Sequence, residues 1–412
     1  NLHRSDVSQR SCSVKRRLVK LAQGDAVIAT ASSAVRSVGR MVALMAVARS
    51  AGVDGVALFV VCASIEMIVI SAINATVASP AAVLAPGRGI ELRKLIHARA
   101  ERWQSRAAVY LAAITLLFTA MGSFPWMLGV AFAGSLATST VYQARRATRV
   151  SEFRTRGVLF AEVSIATVSV AAPMLAAAFD ADAVLWFLIA QCVTQGVSTL
   201  AMQASHASHT RVWAAQVVDS HLWKTGFKML AGSLASSLAG RSQPLLISWT
   251  LGASAAGLYG GASTLAAPIR LASGAARGVL LPRLAASERR HRGDAHQTLF
   301  MKALIGLSLG GLLLVLMVGA IAPALLSVLL GSDFEAAGSI APWVVAHAVV
   351  GALTSLLATR LQAQGRSGFT AAARWGSSLA APILMLIGSE LHGVSGLVAG
   401  ALITELALFA VL

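Results

Sequence analysis

The residues in this chain best able to do chemistry are arginines set inside apolar sequence. Arg36 and Arg40 lie one helical turn apart on one face, and Ser33 and Ser37 extend the same stripe. Arg241, followed by Ser242, Gln243 and Pro244, sits near the middle of a second apolar stretch. Arg270 and Arg277 share a face of the next one, with Ser263 seven residues before Arg270. A charge at such depth in a membrane costs about 2.5–3.5 kcal/mol on insertion scales and so faces a polar or water-filled cavity. Guanidinium keeps its charge when desolvated and presents a planar fork of N–H donors suited to phosphate and carboxylate. The acidic residues at comparable depth are Glu66, Glu162 and Glu405. Five arginines against three glutamates point to an anionic ligand.

Each of these residues also has a structural reading. Arg277 lies near the end of its stretch, where it can snorkel to the interface. Glu66 and Glu162 are candidates for coupling an ion, or for pairing with an arginine inside the bundle. Gln191 and Gln195 share a face with Ser198, and a hydrogen bond to a neighbouring helix is preferred for them over a cavity lining. Glu405, His347 and His392 are single polar residues whose direction the sequence leaves open.

The elements that carry these side chains are apolar blocks of about 20 residues, the length that crosses hydrocarbon as a helix. In the 412-residue chain 56% of residues are hydrophobic, 12% are charged, and the mean hydropathy is +0.72. This composition excludes an ordinary soluble domain. Twelve spans are predicted, roughly 26–48, 55–79, 107–121, 124–143, 157–178, 183–203, 229–250, 256–281, 300–330, 336–359, 369–388 and 393–412. Lys and Arg crowd the N-terminal segment and the 88–106, 145–156 and 283–302 connections, while the alternate connections hold Arg49 as their one basic residue. The positive-inside rule then places the basic connections and both termini in the cytoplasm. The net charge of +17 is accordingly read as a topology signal and a contact for anionic lipids, not as a nucleic-acid surface. Three scattered cysteines (Cys12, Cys62, Cys192) and the pair His206 and His209 make no metal or disulfide pattern, and no cofactor is expected. The basic, polar N-terminal residues also lack the pattern of a cleavable signal peptide.

The chain repeats itself. Gly252-Ala253-Ser254-Ala255-Ala256-Gly257-Leu258-Tyr259 has a counterpart 200 residues earlier in Gly52-Val53-Asp54-Gly55-Val56-Ala57-Leu58-Phe59. Thr138-Ser139 through Ser151 and Phe153 likewise align with Thr354-Ser355 through Ser367 and Phe369, and Pro125-Trp126 with Pro342-Trp343. In the first register Arg241 falls one position from the equivalent of Arg40. The expected fold class is therefore an all-α membrane protein of about 12 transmembrane helices in two repeat-related six-helix lobes. The boundaries are a cytoplasmic N-terminal segment 1–20, an N-lobe 21–205, an interlobe cytoplasmic linker 206–228 and a C-lobe 229–412. Gly39, Pro244, Pro268 and Gly274 are expected to let spans bend.

Several stretches carry a family resemblance. Gly257-Leu258-Tyr259-Gly260-Gly261-Ala262 with Pro268 and Val279-Leu280-Leu281-Pro282-Arg283-Leu284-Ala285 resembles the eighth-span region of bacterial polysaccharide flippases. These belong to the multidrug/oligosaccharidyl-lipid/polysaccharide (MOP) superfamily. Leu330 to Ala337 resembles the loop before their tenth span, and His392 to Ala401 the Gly-rich start of the twelfth. The resemblance implies a MATE/MOP-like V of two lobes that alternates between openings. It also implies movement of a polyprenyl-pyrophosphate-linked glycan precursor from the inner to the outer leaflet of the bacterial cytoplasmic membrane, with no bond made or broken. Arg36, Arg40, Arg241 and Arg270 would then line the substrate cavity, with Glu66 and Glu162 available for ion coupling. Where many such flippases carry an acidic residue in mid-span 7, this sequence reads Gly240-Arg241-Ser242-Gln243-Pro244. The alternative within the fold is a MATE-type multidrug/cation antiporter, against which the arginine excess argues. Expected partners are the lipid-linked glycan, membrane lipids and possible glycan polymerase machinery, with the chain acting as a monomer.

Overall fold

The computed structural model describes residues 2–78, 80–81, 90–122, 125–151, 155–202, 212–274, 293–364 and 366–412, and these are helical apart from short turns. Helix α1 runs Leu2–Ile73 and ends in a π-helical turn at Asn74–Ala78. It is followed by α2 (Ile90–Ala120), α3 (Trp126–Ser151), α4 (Thr155–Ala178) and α5 (Ala183–Ala201). The second half holds α6 (Val212–Arg241), α7 (Gln243–Leu251), α8 (Ala253–Thr264) and α9 (Gly293–Leu330). A 3-10 turn at Ser332–Ser339 leads to α10 (Ala341–Ala363) and α11 (Ser367–Val411).

Two of these helices are hairpins. The apolar stretch Ala31–Val77 has 47 residues, roughly 70 Å of helix, more than twice the ~30 Å hydrocarbon core. It folds back at Gly52, where φ is 63° and ψ −157°. α11 does the same at His392 and Gly393. The repeat-related Gly252 separates α7 from α8 with φ 90°. A side chain at Gly52 or Gly252 would be strained in this left-handed region, which is why the repeated motif begins with glycine. The positive-φ residues among those described are Gly52, Gly122, Asp180, Gly252, Gly331 and Gly393. Each sits in one of the short, base-poor connections, so one end of the molecule is built from tight left-handed turns. The opposite end carries the basic connections.

Among the described residues six stretches are long and apolar enough to cross a membrane, and two of them are the double-length hairpins. The chain is a multi-pass membrane protein. The predicted seventh and eighth spans fall outside this group for visible reasons. Span 7 divides between α6 and α7 at Ser242, with Pro244 in the first turn of α7, where its missing N–H is tolerated. Span 8 is interrupted by a turn at Leu265–Ala266 before helix resumes over 267–274. Tryptophans mark both ends: Trp126, Trp186, Trp249 and Trp343 are exposed near the tight turns, and Trp223 near the basic end, as expected of rings at membrane–water interfaces.

Helices α1, α4, α5 and α3 pack on one another, as do α9, α10, α11 and α8. The first hairpin joins the two sets. Near the tight turns α8 lies against its second leg. A methyl at Gly257 would stand 2.1 Å from the Val53 carbonyl oxygen, and one at Gly260 2.7 Å from Val60 Cγ2. The Gly-rich motif is thus a close-approach face. At the basic end, Ser233 Oγ of α6 donates to the Ser71 carbonyl at 3.3 Å, and Asp219 accepts from Arg99 Nη1 at 3.2 Å and Trp103 Nε1 at 3.3 Å.

Within the segment 206–228 expected as a linker, helix begins at Val212 and continues into α6; His206 and His209 lie outside the described residues. Gly39 lies in unbroken helix, where a methyl would sit 2.5 Å from Ala166 Cβ. Arg277 and the Val279–Ala285 motif lie outside the described residues.

Candidate functional site

In the first half the arginines are held by carboxylates. Glu162, fully buried on α4, pairs through both oxygens with Arg36 and accepts from Arg146 Nε at 3.0 Å. Arg146 Nη2 also donates to Ser33 Oγ at 2.9 Å, and the Arg36 guanidinium stands 5.5 Å from the Tyr142 ring centroid. One carboxylate between two guanidiniums leaves a net positive charge, yet all three groups are tied down. Burial without such pairing would cost several kcal/mol per ion.

Arg40 forms a second unit one turn along. Its Nη2 donates to Glu66 Oε2 at 3.0 Å and its Nη1 approaches Met67 Sδ at 3.1 Å. The Ser139 hydroxyl lies 2.5 Å from both Glu66 Oε1 and Gln195 Oε1 and can donate to one at a time. Ser135 donates to Gln191 Oε1 at 3.0 Å. Gln191 and Gln195 thus tie α5 to α3, the role preferred for them from sequence. Small cavities beside this network are lined by Arg36, Arg40, Glu66, Glu162, Gln191 and Gln195.

The second half differs. Arg241, at the last turn of α6, lies within electrostatic reach of Arg270, Arg40 and Tyr259. Neither Arg241 nor Arg270 belongs to an ion pair among the described residues. Arg270, exposed beyond the 265–266 turn, lies within electrostatic reach of the buried Tyr259 hydroxyl. Tyr259 donates to Gln243 Oε1, and Gln243 Nε2 stands 3.3 Å from His347 Nε2. A polar chain therefore runs from α8 through α7 into α10. The break between α6 and α7 lies beside Arg241, and irregular backbone at membrane depth is stable where it lines a cavity or is buried in protein.

Arg241 thus has Arg40 and Arg270 within electrostatic reach, while Arg36 is held on Glu162. Glu66 and Glu162, read as ion-coupling candidates, are both engaged by arginine. Glu405 lies beside Gly351 and Thr354, with Arg374 in electrostatic reach. Sequence reasoning missed three participants. Arg146 was counted with the basic connection but belongs to α3. Tyr259 and Gln243 were noted as motif residues, and only the fold places them end to end. Neighbouring basic residues also have structural work: Arg145 donates to the Thr199 carbonyl and Arg149 to that of Met202 at 2.9 Å, capping the end of α5.

Residues 127–338, just over half of the chain, match the polysaccharide biosynthesis protein family. The chain belongs to this family. Its fold is that of MOP-superfamily transporters. It superimposes on the lipid II flippase MurJ in an inward closed conformation with a TM-score of 0.73 at 11% identity, covering 93% of this chain and 86% of that one. An inward-facing MATE multidrug resistance transporter of the MOP superfamily gives 0.71 at 12% identity, covering 93% and 96%. A MOP superfamily transporter from Pyrococcus furiosus, described as having a binding pocket of reverse polarity, gives 0.63 at 13% identity, covering 95% and 93%. Comparison with curated proteins found no match.

Proposed function

We propose that this family member is a flippase that carries a polyprenyl-pyrophosphate-linked glycan precursor from the inner to the outer leaflet of a bacterial cytoplasmic membrane, for cell-surface polysaccharide synthesis. The observation that carries this reading is that Arg241 of the second half has both Arg270 and Arg40 of the first hairpin within electrostatic reach, with no carboxylate on Arg241 or Arg270 among the described residues. Phosphate oxygens supply the missing negative charge, while the lipid tail stays in the bilayer.

On this reading twelve spans form two six-helix lobes related by an axis along the membrane normal, with both termini cytoplasmic. The paired left-handed turns support this, since they recur in the same order in each half. The tight-turn end then faces outward, and α8 on the first hairpin closes it. Arg36, Arg40, Arg241 and Arg270 line the cleft, one chain suffices, and the glycan polymerase machinery is the expected neighbour downstream. A MATE-type cation antiporter fits the same fold but needs open carboxylates. The two near this cleft, Glu66 and Glu162, are taken by arginines.

The test is deletion of the gene, scored for surface polysaccharide and for lipid-linked glycan held on the cytoplasmic leaflet. Complementation uses wild type and the Arg40→Ala/Arg241→Ala double variant. Lost polymer with accumulated intermediate, restored by wild type alone, is the expected outcome. Normal glycan with altered sensitivity to cationic drugs would favour the antiporter.

A further inference from the structure

We propose that Glu66 is a specificity-determining residue, a resident counter-anion that makes the cleft select ligands by the charge of their headgroup. The inference rests on the anion-binding reading of Arg40, Arg241 and Arg270. Glu66 is buried on the second leg of the first hairpin, and its Oε2 holds Arg40 Nη2 at 3.0 Å. Its other oxygen lies 2.5 Å from Ser139 Oγ. Arg40 is thereby matched by a carboxylate, although Arg241 of the opposite half lies within its electrostatic reach.

The charge available to an incoming headgroup is consequently graded. Arg241 and Arg270 stand without carboxylate partners among the described residues and meet any anion. Arg40 joins only when the ligand's own negative charge outcompetes Glu66 for the guanidinium. A headgroup with one phosphate leaves Arg40 with Glu66, and one with two phosphates recruits it. Glu66 cannot simply move aside, because Ser139 and the packing of its hairpin against α3 hold it. The Glu162 pair does not do this work, since its carboxylate is locked between Arg36 and Arg146 and fully buried.

The experiment uses the full chain in detergent with two probes, farnesyl monophosphate and farnesyl diphosphate, and reads binding by ligand-induced thermal shift and titration. Wild type is expected to bind the diphosphate about tenfold more tightly, the size of one charge-assisted hydrogen bond. Glu66→Gln should collapse that ratio by strengthening monophosphate binding, a gain that loss of folding cannot mimic. Arg40→Gln should collapse it from the other side, weakening the diphosphate more than the monophosphate. Binding of both probes with the wild-type ratio retained in Glu66→Gln would overturn the counter-anion role alone. Binding of neither probe by wild type would overturn it together with the anion-binding reading beneath it.

Discussion

The two halves of this molecule hold their arginines in opposite ways. On the first hairpin Arg36 and Arg40 are matched to Glu162 and Glu66, carboxylates supplied by α4 and by the hairpin's own second leg. In the second half Arg241 and Arg270 have no ion pair among the described residues and lie within electrostatic reach of Tyr259 and of each other. The helices follow a repeat, down to the left-handed glycines at Gly52 and Gly252, but the charges do not. A duplicated scaffold conserves where backbones turn, because φ and close packing leave few choices. Side chains facing a cleft are under no such constraint. One half can keep its ion pairs for stability while the other keeps guanidiniums for a ligand.

That contrast can be broken most forcefully at Glu162. Glu162→Ala strands two half-buried guanidiniums that share one buried carboxylate and should cost up to about 3–5 kcal/mol, seen as a large drop in the thermal denaturation midpoint in detergent. A midpoint near wild type would mean that the first half is not built around its ion pairs. Arg241→Ala should behave inversely. Anion binding should weaken by about 2 kcal/mol or more, roughly thirtyfold, with the denaturation midpoint little changed because no native ion pair is lost. Comparable losses of stability in both variants would erase the distinction.

Smaller effects sharpen the account of how the halves meet. Gly257→Ala places a methyl against the Val53 carbonyl and should cost about 1–3 kcal/mol. Cysteine-labelling accessibility near the tight turns should rise as α8 is pushed off the first hairpin. Arg49, exposed, bridges the halves by donating to the Val328 carbonyl at 2.6 Å and the Leu329 carbonyl at 3.2 Å. Arg49→Ala should loosen the same end by about 1 kcal/mol, read as a modest increase in the same labelling.

Much of the fold was legible because membrane physics writes it in blocks. Apolar length marks the helical blocks, six of which among the described residues are long and apolar enough to cross a membrane. The repeat marks Gly52 and Gly252, where the chain turns with positive φ. Pairing was not legible: nothing local to Arg146 says that it reaches across to Glu162, and nothing near Tyr259 says that its hydroxyl meets Gln243. Those contacts depend on helix rotation, which Ala-rich sequence leaves undetermined when both faces are apolar. The helical start of α6 at Val212 was also hidden, because His, Lys and Asp there read as solvated linker. In the structure Asp219 is held by Arg99 and Trp103.

The central claim is that the unpaired arginines of the second half carry an anionic lipid headgroup across the membrane. Its most direct test is translocation of a polyprenyl-diphosphate-linked sugar in proteoliposomes containing wild type or Arg241→Ala. The account predicts transbilayer movement by wild type and its loss in the variant, with equal reconstitution and thermal stability. Movement at the wild-type rate by Arg241→Ala would contradict it.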